Sequence, residues 1–209
     1  MAQPLQSRYV IKTLIFDLGN VIVPFDFKLG YTKLASLCSY PAEEIPVRIR
    51  STGLVQPFET GEITPEHFVR ELTSTLGLRA TYAEFCDLWT SVFLPDTLIS
   101  EALFARFAGT HRLLLLSNTN PIHFSMIRAN YPVLRHFDDY VLSYEVRSAK
   151  PDSKIYQEAL ARSGCRPEEC FFTDDLLINV EAARQHGMDA VQFQSASQLE
   201  TELRTRGLL

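Results

Sequence analysis

The chain has no closely paired CxxC motif, and none of its four cysteines, Cys38, Cys86, Cys165 and Cys170, stands beside a histidine cluster with metal-ligand spacing. That excludes a zinc-ribbon type of site and predicts buried free thiols. The opening MAQPLQSRYVIK lacks the apolar centre of a signal peptide, and no later run approaches the roughly 20 apolar residues of a membrane span. A reducing cytoplasm is the expected location. Basic charge is also in short supply: Lys and Arg number 20 against 25 Asp and Glu, a formal net charge of -5. Neither nucleic acid nor an anionic membrane is expected as a partner, because both select a basic surface. Any bound phosphate must be held by local donors. Internal repeats and low-complexity tracts are missing as well.

What remains is an ordinary globular composition, 46% hydrophobic and 22% charged over 209 residues. That length suits one domain with a sizeable core, or a core carrying a smaller insertion. Apolar runs that stop abruptly at polar residues read as buried parallel strands. Four such runs are TLIFD to Asp17, LLLLS to Ser117, DYVLS to Ser143 and CFFTD to Asp174, with a weaker fifth, DAVQF, to Phe193. Helical patterns separate them, including Pro151 to Arg162 closed by Gly164, and Leu177 to His186 closed by Gly187. The alternation predicts an α/β fold with a doubly wound parallel sheet.

Residues 27–95 break the alternation, with helical stretches and no convincing strand. Thr64 followed by Pro65 marks a helix start, and Phe85, Leu88, Trp89 and Val92 recur at helical spacing. This segment is too long for a loop and reads as an inserted α-helical cap domain, with residues 1–26 and 96–209 forming the core.

Ligands of open α/β sheets bind beyond the carboxyl ends of the strands. Asp17, Ser117 and the pair Asp174-Asp175 fall at those ends, and Lys150 opens the helix after the third strand. Each alone is ordinary, since a strand-terminal Asp or Ser commonly caps a turn and a lone Lys is usually solvated. Together they form a chemical set: a phosphate can be clamped between Lys150, the Ser117 hydroxyl and Mg²⁺ held by the carboxylates.

The order Asp, Ser, Lys, Asp-Asp, with a helical insertion after the first strand, resembles the haloacid dehalogenase superfamily. FDLGNV, LLLSNTN, AKPDSKIY and FFTDDLLIN are similar to its four motifs. The wording of FDLGNVIV, FETGEIT, LSNTNPIH and KPDSKIYQ is especially similar to a bacterial subgroup containing an α-D-glucose-1-phosphate phosphatase. The resemblance implies a Mg²⁺-dependent phosphatase of a small phosphorylated metabolite, sugar phosphate favoured, working through an aspartyl-phosphate. It makes Asp17 the nucleophile and Asp17, the Gly19 carbonyl, Asp174 and Asp175 the metal site. Ser117, Asn118 and Lys150 take the phosphoryl oxygens, and Lys150 also keeps Asp17 ionised.

One position departs from that pattern. Phosphatases of the superfamily usually carry a second aspartate two residues after the nucleophile, as acid and base; here the residue is Gly19. A positioned acid/base contributes about 10²–10⁴-fold. Under the phosphatase reading the leaving group departs easily, or Asp26 or His123 supplies the proton. A metal-free dehalogenase needs no second aspartate, but leaves the acidic pair without a task. A third reading is a weakened module that only binds phosphometabolites. Asn20 is expected to serve the turn, Asp26 to cap a helix, and Trp89, Phe85 and Phe93 to fill the cap core. Glu59, Arg48 and Arg50 are expected to be solvated unless the cap turns them inward. Asp138-Asp139 precedes its strand and so belongs to the wrong end of the sheet.

Overall fold

The computed structural model describes residues 10–209, so the reading of MAQPLQSRYVIK lies mostly outside the described residues. The chain runs through β1 (Thr13–Phe16), α1 (Phe27–Ala35), α2 (Ile45–Ser51), α3 (Val55–Glu59), α4 (Pro65–Leu76), α5 (Tyr82–Thr90) and α6 (Glu101–Ala105). It continues with β2 (Arg112–Ser117), α7 (Pro121–Asn130), β3 (Asp139–Leu142), α8 (Ser143–Val146), α9 (Ser153–Ser163) and β4 (Cys170–Asp174). The last elements are α10 (Leu177–Gln185), β5 (Asp189–Gln192) and α11 (Ala196–Thr205).

The strands form one parallel sheet in the order β3-β2-β1-β4-β5. Both faces are covered, which is why the strand sequences are apolar without alternation. Phe16, Leu115 and Phe171 enter one core layer with Phe104, Phe137 and Leu199. Ile15, Leu114, Leu116 and Phe172 enter the other, against Tyr156 of α9 and Val180 of α10. Because β1 is central, the residue that follows it emerges at the point where strand order reverses.

Some boundaries differ from expectation. Ser143 opens α8 rather than ending β3, and β5 stops at Gln192. Asp152, extended at φ -63 and ψ 140, takes the N-cap position, so the helix starts at Ser153 and Pro151 precedes it. The cysteines are free, yet only Cys170 is buried; Cys38 and Cys86 pack at the margin of a core cluster and stay half-buried.

Helices α1 to α5 build a separate core around Phe58, Phe68, Leu72 and Phe85. Their ends are set locally. Thr64 accepts the His67 N–H at the start of α4, and Thr81 with Glu84 forms a capping box on α5. The strands of chain entering and leaving this helical unit pair through an antiparallel bridge between Phe25 and Phe93. After α3, Gly61 has φ +67, and a Cβ there would run into the Tyr144 carbonyl oxygen of α8. Only glycine fits that contact between unit and core. Among the described residues no helix is long and apolar enough to cross a membrane.

Candidate active site

Asp17 follows β1 directly, its N–H donating to the Thr173 carbonyl of β4 at 3.0 Å. The chain then turns through Asn20, whose φ is +52 and whose side-chain oxygen accepts the Phe25 N–H at 3.3 Å. This is the turn role expected of it.

Lys150 occupies the centre, with its side chain 1% exposed. Its Nζ donates to Asp17 Oδ1 at 2.7 Å, Asp174 Oδ2 at 2.6 Å and the Leu116 carbonyl at 2.8 Å. All three ammonium protons are used, as a buried cation requires. Asn118 holds this lysine by its backbone: its Nδ2 donates to the Lys150 carbonyl at 2.9 Å, and its Oδ1 accepts the Lys150 N–H at 2.7 Å. The Ser117 hydroxyl is buried beside them and makes only a long contact, 3.4 Å, to the Asn118 carbonyl. It is free to turn toward a ligand.

Asp174 is fully buried. Its Oδ1 accepts from the Leu176 N–H at 2.9 Å and Asn179 Nδ2 at 3.0 Å, and Asn179 also reaches Oδ2 at 3.1 Å. With Lys150 added, the roughly four lone-pair sites of this carboxylate are filled. Asp175 is half-buried and less committed, and burial, followed by the Asp174 charge, raises its carboxyl. Carboxylate oxygens of Asp17, Asp174 and Asp175 lie within 4.8 Å of one another. Burial pushes Asp17 up to about 7; the Lys150 charge opposes this and the Asp174 charge adds to it. The lysine thus acts in the expected direction on the Asp17 charge, against burial. For Lys150 burial also works against the charge, but the two carboxylates prevail and raise it. Asp17 and Asp175, less committed than Asp174, with Asp174 close behind them and a single ammonium among the three carboxylates, fit a divalent cation such as Mg²⁺, which would supply the missing positive charge.

Beside Gly19 the space is taken. A Cβ there would lie 2.9 Å from Phe25 Cε1, and the Phe25 ring sits 4.9 Å from Phe27 and 6.1 Å from Phe93. An aromatic ring stands where a second aspartate would grow. Neither expected substitute is free to replace it. Asp26 is exposed and caps α1, accepting the Lys28 N–H at 2.8 Å. His123 Nε2 meets the Trp89 carbonyl at 3.1 Å and must donate, while its Nδ1 meets Asn120 Nδ2 at 3.0 Å and must accept. Both ring nitrogens are committed to one neutral tautomer, and burial lowers the pKa to about 4. Stacked on Trp89, His123 joins α7 to α5.

A cavity of about 660 Å³ opens between the strand ends and α1 to α5. Gly19, Ser117, Asn118 and Thr119 belong to its core side, and Arg50, Gln56 and Glu59 reach it from the helices. Trp89 and Phe93, expected simply to fill the cap core, line it too, together with Leu88 and Val92. Burial raises the Glu59 carboxyl. Arg48 instead pairs with Glu44 at 2.8 Å over the Tyr40 ring. Asp138 accepts the Leu113 N–H at the start of β2, away from the site.

Sequence reasoning missed three contributors. Asn179 orients Asp174; its signal was a polar residue five places on, in the first turn of the following helix. Ser143 exchanges two hydrogen bonds of 2.9 Å with the Thr119 backbone, steadying the loop after β2. Phe25 had no signal, because its ring meets Gly19 only after the turn has formed.

Comparison with known proteins places this geometry. The chain is 26% identical over 200 residues to D-ribitol-5-phosphate phosphatase of Bacteroides thetaiotaomicron, covering 93% of this chain and 97% of that one. It is 24% identical over 200 residues to a sesquiterpene phosphatase of Aspergillus oryzae, covering 92% and 95%. A haloacid dehalogenase family enzyme of Bacteroides thetaiotaomicron, solved with magnesium, superposes with a TM-score of 0.83 at 26% identity, over 94% of this chain and 100% of that one. Residues 11–187 match the model of the haloacid dehalogenase-like hydrolases, and the chain belongs to that family.

Proposed function

We propose that this hydrolase is a Mg²⁺-dependent phosphatase acting on a small phosphate monoester through an aspartyl-phosphate on Asp17, with residues 27–95 as the cap over residues 1–26 and 96–209. The observation that carries it is the cluster of Asp17, Asp174 and Asp175 around the buried Lys150. In this reading Asp17, the Gly19 carbonyl and Asp175 hold the cation, with Asp174 sharing or orienting it. A cation held there would neutralise phosphate charge and withdraw electrons from phosphorus.

The chain's own groups do the rest. One Asp17 oxygen attacks phosphorus in line, the bond to the alcohol oxygen breaks, and the phosphoryl group passes to Asp17. Ser117 and backbone donors around Asn118 hold its remaining oxygens, and Lys150 reaches one of them by giving up its bond to Asp17 as that carboxylate takes the phosphoryl group. Water then attacks phosphorus, releasing phosphate and restoring the carboxylate. With Phe25 beside Gly19, and Asp26 and His123 engaged, none of the expected groups protonates the leaving alcohol, so solvent water gives that proton and takes up the one released when water attacks phosphorus.

The objection to the competing dehalogenase reading, an acidic pair without a task, is lifted for one member and stands for the other. Asp174 has work there, since it holds Lys150; Asp175 does not. For the alcohol, the ribitol phosphate named for one relative supports the expected sugar phosphate, while the terpene named for another pulls away from it. A cytoplasmic location remains part of the proposal.

Acetyl phosphate, small enough to test the chemistry whatever the cavity prefers, provides the assay. The wild-type protein is expected to release phosphate with Mg²⁺ and to stop on chelation, and Asp17→Asn is expected to be inactive. Equal, metal-independent release by wild type and variant would sink the proposal.

A further inference from the structure

The cavity is far larger than a phosphoryl group, and at about 660 Å³ it is of a size that encloses a whole organic ligand. Its polar groups are unevenly placed. Ser117, Asn118 and Thr119 lie at the phosphate end, and Asn118 is already bonded to Lys150. His123 is spent on Trp89 and Asn120. For the rest of the ligand, Arg50, Gln56 and Glu59 come from the side of α2 and α3. The side of α1 and α5 presents Phe27, Leu34, Leu88, Val92 and Phe93, broken by the Tyr31 phenol and the Trp89 ring, whose Nε1 has no hydrogen-bond partner among the described residues.

A polyol carries a hydroxyl on nearly every carbon, and each one buried without a partner is penalised. Against α1 and α5 most would have none. An apolar chain or ring instead gains from every methylene removed from water, by about fourfold in affinity each. The Phe25 ring beside Gly19 extends the same apolar surface down to the nucleophile's turn.

Resting on the phosphatase reading above, we infer that the substrate is the phosphate monoester of an apolar alcohol, with a branched or flat hydrocarbon body of several carbons, rather than a sugar or polyol phosphate. The body lies between α1 and α5, and its phosphate reaches Ser117 and Lys150.

The chain's single tryptophan, Trp89, lines this cavity and reports occupancy directly. Asp17→Asn protein, and wild-type protein freed of metal as a second form, are titrated with geranyl monophosphate, geraniol, ribitol 5-phosphate and glucose 1-phosphate, followed by Trp fluorescence and calorimetry. Geranyl monophosphate is expected to bind at least about tenfold more tightly than either polyol phosphate, as two or more buried methylenes would give, and geraniol is expected to bind without its phosphate. Equal or tighter binding of ribitol 5-phosphate or glucose 1-phosphate overturns the inference, as does the absence of saturable binding by geranyl monophosphate. Turnover separates the two levels. Acetyl phosphate hydrolysed with a polyol phosphate preferred leaves the phosphatase standing and removes the apolar substrate. Tight geranyl monophosphate binding with no ester or acetyl phosphate hydrolysed does the reverse.

Discussion

The two sides of the cavity are built on opposite principles. At the strand ends, charged groups are buried and nearly every hydrogen-bonding site is committed: Lys150 to three acceptors, Asp174 to three donor groups, Asn118 to the Lys150 backbone. Under the helices, the wall is largely aromatic and aliphatic, and its shape comes from side-chain packing. A polar network of this kind fails when one member is removed, because the others are left buried and unpaired. An apolar wall changes by degrees. The chemistry and the choice of substrate are thus held by different physics, and each can be altered with little help from the other.

The largest effect is expected from Lys150→Met, which leaves Asp17 and Asp174 facing each other without their cation. Removing one partner of a buried ionic group costs about 3–5 kcal/mol, and loss of a phosphate donor lowers kcat by about 10²–10³ or more. Denaturant unfolding and phosphate release measure both. A stable, active variant would show that the polar side is less tightly coupled than its hydrogen bonds imply.

His123 joins the two sides, and its effect is set by pH. Its folded pKa is about 4, against about 6.5 in an unfolded chain. The unfolded chain therefore takes up the proton first on acidification. The stabilisation from keeping His123 neutral is complete above about pH 6.5 and is lost as pH falls toward 4, by up to about 3 kcal/mol. Denaturation midpoints of wild type and His123→Gln between pH 7 and 4 should converge as the wild type loses this increment; parallel curves would break the assignment.

Smallest is Gly19→Asp, the change that restores the usual aspartate of the superfamily. Against the Phe25 ring it is expected to destabilise by about 1–3 kcal/mol without the gain of about 10²–10⁴ that a positioned acid/base brings. Adding Phe25→Ala should recover part of the stability. A faster Gly19→Asp enzyme of unchanged denaturation midpoint would mean that Phe25 yields easily and the border between the two sides is soft.

Much of this was legible in the chain. Strands buried on both faces must be apolar throughout, so TLIFD, LLLLS and CFFTD announced themselves, and Asp17, Ser117 and Asp174 marked where each one ends. Thr64 marked a helix start because capping is a local matter; Pro151 misled because the chain stays extended through Asp152 and turns helical only at Ser153. Other residues gave no such signal. Whether His123 could donate a proton depended on the Trp89 carbonyl, 34 positions away, and whether Glu59 faced solvent depended on how α3 meets the core.

By itself, then, the sequence determined the order of strands and helices, the carboxylate and hydroxyl residues at the strand ends, and the missing aspartate at Gly19. These follow from periodicity and from neighbours in the chain. Only the tertiary structure decided that Lys150 joins Asp17 to Asp174, that Phe25 takes the room beside Gly19, and that the wall over the site is largely apolar. Those outcomes rest on side-chain directions in segments far apart in sequence, which become defined only when packing brings them into contact.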